Sequence, residues 1–277
     1  MDYKDRVHQI LKQFVFEKSK TPAELFHYTT AAGLIGIIRL NSFWASNWSF
    51  LNDRGEGHYG RAILTRELID RYSPKHPEAV RIVLEQLQNH HPWDNYVVSF
   101  CENGDLLSQW RGYGLGYSLG VNLRDQNFGE AMVHRMLYGD EHAEAFFDKI
   151  EQNLSDQFDQ DFAEILKNNP LAVVRYIRML GDYFKDPAFS EEKEWRLSKS
   201  QNGLATNLSP PDALMFRDRG SDILPYIELK ADGPMSVSRV CMGPGVQPEN
   251  AHSLRGLLQR NGHNEVSIVQ ASGFYRP

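Results

Sequence analysis

The densest run of chemically able side chains in this 277-residue sequence is Ser190-Glu191-Glu192-Lys193-Glu194-Trp195-Arg196-Leu197. In an extended segment alternate side chains share a face. Glu192, Glu194 and Arg196 then line one side and Lys193, Trp195 and Leu197 the other, with Trp195 and Leu197 free to anchor the strand on a core. Two acids and a guanidinium on one face are costly to bury without a purpose. The segment therefore reads either as a solvated edge strand whose charges discourage edge pairing or as one wall of a site.

Two further groups carry chemistry. His27-Tyr28-Thr29 sits at a strand end directly before a helix, where a side chain can reach a cleft and the helix N-terminus offers unpaired N–H groups to an anion; the plain alternative is a hydrogen-bonded core histidine. Ser99-Phe100 leads into Glu102-Asn103-Gly104-Asp105 and Gln109-Trp110-Arg111-Gly112-Tyr113. Aromatics beside arginine suit stacking on a planar heterocycle and neutralising a phosphate, although Trp110 reads equally well as core. Glycines 112, 114, 116 and 120 miss the dinucleotide-loop spacing, since Leu119 stands where the third glycine belongs, and they read as turn or close-packing positions. No P-loop, G-x-S-x-G or H-E-x-x-H motif occurs. His58, His90 and His91 with Asp53 lack helical metal-ligand spacing, so no metal is expected.

The elements that must position these groups follow from periodicity. A helix is predicted over Asp5 to Phe16, a strand over Leu25 to Thr29, and a helix capped by Thr30 over Ala31 to Leu40. A strand at Ser42 to Ala45 precedes a polar loop at Asn52-Asp53-Arg54-Gly55 and helices at Tyr59 to Arg71 and Pro77 to Gln88. Strands are expected at Tyr96 to Cys101, Tyr117 to Asn122 and Met132 to Tyr138, the first two separated by a glycine-rich loop. Phe147, Ile150, Leu154, Phe158, Phe162 and Ile165 repeat as a long helix, ended by Asn168-Asn169-Pro170, and a second runs from Leu171 to Phe184. The chain then returns to strands at Glu192 to Ser198, Ile223 to Leu229, Ser236 to Met242 and Val266 to Gln270, with a helix at Pro248 to Gln259 and a structural loop at Gly243-Pro244-Gly245. Strands flanking a helical insertion, at about 141–186, without regular βαβ alternation argue for an α+β fold in one domain over residues 1–277.

A net charge of −6 argues against a chain that coats nucleic acid. The two cysteines, Cys101 and Cys241, have no C-x-x-C partner, which speaks against a disulfide framework or a thiolate zinc site. No signal-peptide core and no membrane-length apolar run is visible, so a cytoplasmic protein without a membrane partner is expected.

With these residues laid out, the chain resembles a bacterial family catalogued as a domain of unknown function and related to the ADP-ribosyltransferases. The marks are His27-Tyr28-Thr29, Phe50-Leu51-Asn52-Asp53, Ser99-Phe100 with Trp110, Glu192-Lys193-Glu194-Trp195-Arg196, Leu224-Pro225-Tyr226-Ile227, Met242-Gly243-Pro244 and Tyr275-Arg276. The resemblance implies a split β-sheet that bends NAD, as substrate, into a cleft. His27 would hold the adenine-side ribose, and Tyr28, Thr29, Ser99, Arg111 and Arg196 would line the site. Trp110 or Tyr113 would stack on nicotinamide, and Glu194, or Glu192, would be the catalytic acid. It further implies transfer to an unknown macromolecular acceptor, protein or nucleic acid, as in a bacterial toxin or phage-defence effector, or else hydrolysis of NAD. The rival expectations are a non-catalytic module that binds a nucleotide or NAD-derived signal, and a protein-interaction domain whose glutamate-rich strand is only surface.

Overall fold

Phe26 and Cys101 exchange backbone hydrogen bonds of 2.8 Å in both directions, and at that single bridge two β-sheets meet. The computed structural model describes residues 21–51, 56–88, 95–113, 116–154, 166–200 and 213–272. In chain order the elements are β1 (Leu25–Thr29), α1 (Ala31–Leu40), β2 (Ser42–Asn47), a 3-10 turn (Trp48–Phe50), α2 (Glu56–Tyr72), α3 (Pro77–Leu87), β3 (Asn95–Phe100), α4 (Leu107–Tyr113), β4 (Tyr117–Val121), β5 (Met132–Arg135), β6 (Leu137–Tyr138), α5 (Asp140–Leu154), α6 (Pro170–Gly181), β7 (Phe184–Lys185), a second 3-10 turn (Pro187–Glu192), β8 (Trp195–Ser200), β9 (Met215–Arg219), β10 (Asp222–Lys230), β11 (Val237–Met242), α7 (Asn250–Arg260) and β12 (Ser267–Gln270).

Local chemistry sets several of these boundaries. The Thr30 hydroxyl accepts from Gly33 N at 3.1 Å, capping α1 as its position suggested, a contact typically worth about 1 kcal/mol. Asn41 closes the helix in the left-handed region, φ 55°. There its side chain donates to Gly233 O and accepts from Met235 N, each at 2.7 Å. Proline at the first turn opens α3 and α6, a place where its missing N–H costs nothing.

One sheet runs β1-β4-β11-β12, antiparallel except for the parallel β11/β12 pair. The other runs β5-β8-β3-β2-β10-β9, antiparallel throughout. Strand alternation puts Tyr96, Val98, Phe100, Trp195, Leu197, Phe43, Ala45 and Ile227 of the six-stranded sheet against Leu25, Leu119, Val121 and Val240 of the four-stranded one, with α1 and α7 contributing Leu34, Ile38, Leu254 and Leu258. Each fully buried aliphatic or aromatic side chain here contributes about 1.5–3 kcal/mol. A separate apolar core joins α2, α3, α5, α6 and β7 through Leu64, Leu68, Val83, Ala143, Val174, Ile177 and Phe184. Helices α2 and α6 approach closely because Gly60 and Gly181 face one another, a Cβ on Gly60 standing 2.1 Å from Gly181 O. A two-stranded parallel β6/β7 ladder attaches this helical layer beside the segment entering β8.

The architecture is α+β, as expected, and Trp195 and Leu197 anchor β8 in the core while Arg196 takes the opposite face. Four expectations are corrected. The strand expected from Glu192 begins three residues later, at Trp195, because residues 187–192 form a 3-10 turn: the Asp186 carboxylate caps Ala188 N at 2.8 Å, Pro187 fixes the first turn, and Lys193 is left-handed at φ 42°. The stretch from Leu107 to Tyr113 is a helix rather than a glycine-rich loop. Met132 to Tyr138 is broken into β5 and β6 at Met136, whose N–H donates to Glu194 O at 2.9 Å. Helix α6 ends at Gly181, and Phe184 belongs to β7. The expected helix over Asp5 to Phe16, the loop residues Asn52 to Gly55, Phe158, Phe162 and Ile165, and the marks Tyr275-Arg276 lie outside the described residues.

Candidate functional site

Strands β1, β3 and β8 lie side by side where the two sheets part, and they carry His27, Ser99 and Arg196. Ser99 is the link. Its carbonyl accepts from His27 Nδ1 at 2.9 Å, and its Cα stands in register with Arg196. Because a carbonyl only accepts, the imidazole proton sits on Nδ1 and Nε2 is left as an acceptor. The ring is partly buried, 5.5 Å from the Phe43 ring and 5.6 Å from that of Phe100. Burial, partly offset by the Ser99 carbonyl and reinforced by the charge of Arg217, lowers its pKa to about 4, so it is neutral near pH 7.

Glu194 immediately precedes β8 and is 2 % exposed. Lys185 Nζ donates to its Oε2 at 2.7 Å, Arg196 Nε to its Oε1 at 2.7 Å, and the Glu194 N–H to the Tyr138 hydroxyl at 2.8 Å. Lys185 also reaches Glu192 at 2.6 Å and lies 5.1 Å from the Phe189 ring. Burial raises the Glu194 carboxyl, but Arg196 and Lys185 outweigh it and hold the group well below the usual carboxylate range. Arg196 extends the cluster to the Asp182 carbonyl at 3.4 Å, and the Asp182 carboxylate accepts from Asn95 Nδ2. His134 on β5 meets Ser198 Oγ at 3.0 Å and the Tyr183 ring at 4.1 Å; burial, then the charge of Arg196, lowers its pKa to about 3. Two cations thus neutralise two carboxylates in a buried network.

The other residues singled out by sequence divide. Tyr28 turns away from the His27 face: its hydroxyl donates to Asn103 O and accepts from Leu106 N, and its ring lies 4.7 Å from Trp110. Trp110 is 2 % exposed, packs with Phe26, Tyr28, Cys101 and Cys241, and donates to Asp105 at 2.8 Å, an arrangement that matches the core alternative. Arg111 is exposed on α4, and the Tyr113 side chain lies outside the described residues. Thr29 crowds Gly116, where a Cβ would stand 2.3 Å from Thr29 O, which is the close packing expected of that glycine. Cys101 and Cys241 are free buried thiols, both pushed up by burial.

Among the described residues no group of acids, histidines and cysteines forms a metal site, and no helix is long and apolar enough to cross a membrane. Asp53, His90 and His91 lie outside them. Sequence reasoning missed Lys185, hidden in what read as the end of a helix, and His134, Tyr138 and Asp182, which become neighbours of Glu194 only through the β5/β8 and β6/β7 pairings.

Residues 109–197 match a family model described as a protein of unknown function (DUF2971). The matched stretch runs from α4 through the helical layer into β8, and so contains Lys185, Glu192, Glu194 and Arg196 but neither His27 nor Ser99. No curated protein and no solved structure matches the chain. Over about a third of its length the chain is therefore similar to a family whose description names no activity, and nothing in that match extends to the ADP-ribosyltransferases.

Proposed function

We propose that the chain is an ADP-ribosyltransferase-like protein that takes NAD as its substrate at the line where the two sheets part. The observation that supports the reading is the adjacency of β1, β3 and β8 through Ser99, which sets the strand of His27 beside the strand that Glu194 precedes. A neutral imidazole with Nε2 as acceptor suits a ribose hydroxyl. Cleavage breaks the bond between ribose C1′ and the nicotinamide nitrogen, the electron pair leaves with nicotinamide, and positive charge builds on the ribose. An ionised carboxylate stabilises that charge more in the transition state than in the ground state. A nucleophile then closes the step by bonding C1′: water, or a hydroxyl or amine of a macromolecule, each releasing a proton, or a macromolecular carboxylate, which has none to release.

A second reading is favoured by one specific observation. Both Glu194 oxygens are occupied by Lys185 and Arg196, and the group is 2 % exposed, an arrangement suited to a module that binds NAD or a related nucleotide without turning it over. Incubating the purified chain with NAD, following free nicotinamide by chromatography and measuring NAD affinity by calorimetry separates the two. Nicotinamide release supports the enzyme, with free ADP-ribose marking hydrolysis and its absence marking transfer. Binding without release supports the module. Absence of both overturns both.

A further inference from the structure

Beyond β3 the six-stranded sheet continues into β2, β10 and β9, and on the face opposite the inter-sheet core these strands carry Trp44, Ser46, Tyr226 and Arg217. Register explains the grouping: Ser46 pairs with Tyr226 and Tyr226 with Met215, so Arg217, two residues along β9, shares their face. The Trp44 and Tyr226 rings lie 4.9 Å apart at 32°, and the Arg217 guanidinium is within 6 Å of both, at 5.9 and 5.8 Å. One of its nitrogens, Nη2, donates to Ser46 Oγ at 2.6 Å.

Among the described residues no carboxylate lies within ion-pair distance of Arg217. Glu228, on the same face, accepts from Ser42 Oγ at 2.6 Å instead, and Asp222 stands 3.9 Å from Arg219. A partly buried guanidinium next to a second arginine and, among the described residues, without its own acid loses hydration and gains in return one neutral hydrogen bond and the faces of two aromatic rings. An anion would relieve that. The planar fork presents two parallel donors to phosphate, and aromatic faces beside it suit a stacked heterocycle. The strands link the two places, since Ser46 stands in register with Val97, two residues before Ser99, whose carbonyl accepts from His27.

We propose that Arg217, with Ser46, Trp44 and Tyr226, is a binding site for a nucleoside diphosphate, the guanidinium holding a phosphate and the aromatic pair the base. The inference deepens the reading above and rests on it only in taking the ligand as the ADP half of NAD.

The test is titration of the full chain with ADP, adenosine and inorganic phosphate, by calorimetry and by tryptophan fluorescence. ADP binds more tightly than either fragment, its affinity falls as salt rises, and it changes the fluorescence of the wild type but much less that of Trp44→Phe. Arg217→Ala weakens ADP binding by roughly tenfold or more, the loss expected for a charge-assisted contact, while leaving adenosine affinity little changed. The proposal is overturned if wild type does not bind ADP, or if Arg217→Ala binds it as well as wild type. Should that variant fail to fold, Arg217→Lys, which keeps the charge but loses the fork, carries the test: intermediate affinity supports the site and unchanged affinity overturns it. Failure of the enzymatic reading is separable. A chain that binds ADP through Arg217 but releases no nicotinamide refutes catalysis alone, and one that cleaves NAD equally well in Arg217→Ala refutes this site alone.

Discussion

The two ends of the six-stranded sheet treat positive charge in opposite ways. At the β8 end Lys185 and Arg196 are buried and each meets Glu194 at 2.7 Å, with Glu192 closing on the lysine. At the β9 end Arg217 meets a serine hydroxyl and two aromatic faces, with no carboxylate within ion-pair distance among the described residues. A guanidinium already matched to an acid has little left to offer a ligand, whereas an unmatched one does. The first cluster holds the helical layer on the sheet and sets the state of Glu194, and the second is the one proposed to meet an anion.

The largest expected effect is at the paired end. Glu194→Gln removes the one carboxylate shared by Lys185 and Arg196 and leaves both cations underpaired in a buried setting, for a loss of about 3–5 kcal/mol in denaturant unfolding. Adding Lys185→Met to that variant removes one underpaired charge and recovers on the order of 1–3 kcal/mol of it. Additive losses from the two substitutions would mean that the pair does not act as a unit, and the contrast between the two ends would fail.

Acid should find the same weakness. The Glu194 carboxyl is depressed in the folded chain, so its contribution is present above the ordinary carboxyl value of 4.5 and is lost as pH falls through its lower folded value. His27 and His134 are depressed from 6.5 to about 4 and about 3. Their unfolded forms take up protons first, and stability therefore declines as pH drops from 6.5 toward those values. Melting temperatures should be flat near neutrality and fall progressively below pH 6.5, with His134→Gln flattening the upper part of the slope. A melting temperature constant down to pH 4 would contradict the depressed histidines.

The β9 end should be insensitive by comparison. Arg217→Met keeps the stem packed against Trp44 and Tyr226 and removes a charge that has no ion-pair partner among the described residues, so unfolding stability should change by less than about 1 kcal/mol. A loss as large as that of Glu194→Gln would make Arg217 structural. The smallest effect is expected at Lys193, whose left-handed φ of 42° turns the chain between Glu192 and Glu194. The strain of roughly 1 kcal/mol relieved by Lys193→Gly is nearly offset by the greater chain entropy of glycine, about 0.5–1 kcal/mol. A change within about 0.5 kcal/mol is therefore predicted, and a large loss would show that the lysine side chain itself holds the turn.

Composition, periodicity and capping residues determined the α+β class, the boundaries of β1, α1 and α3 to within a residue, and the inward facing of Trp195 and Leu197, because each follows from neighbours in sequence. The alternation around Glu194 was legible, yet it could not show whether the polar face looks into water or into protein. That was decided by the helical layer, which brings Lys185 from β7 and Tyr138 from β6 onto Glu194. The start of the strand expected from Glu192 misled for a related reason: strand-like alternation of charges is compatible with the end of a 3-10 turn once Asp186 and Pro187 fix its start, and the αL residue at its end leaves no mark in the pattern. Arg217 carried no signal at all beside Asp218 and Arg219. Its approach to Ser46 and Trp44 joins residues more than 170 positions apart, and only the β2-β10-β9 register brings them, with Tyr226, to one face.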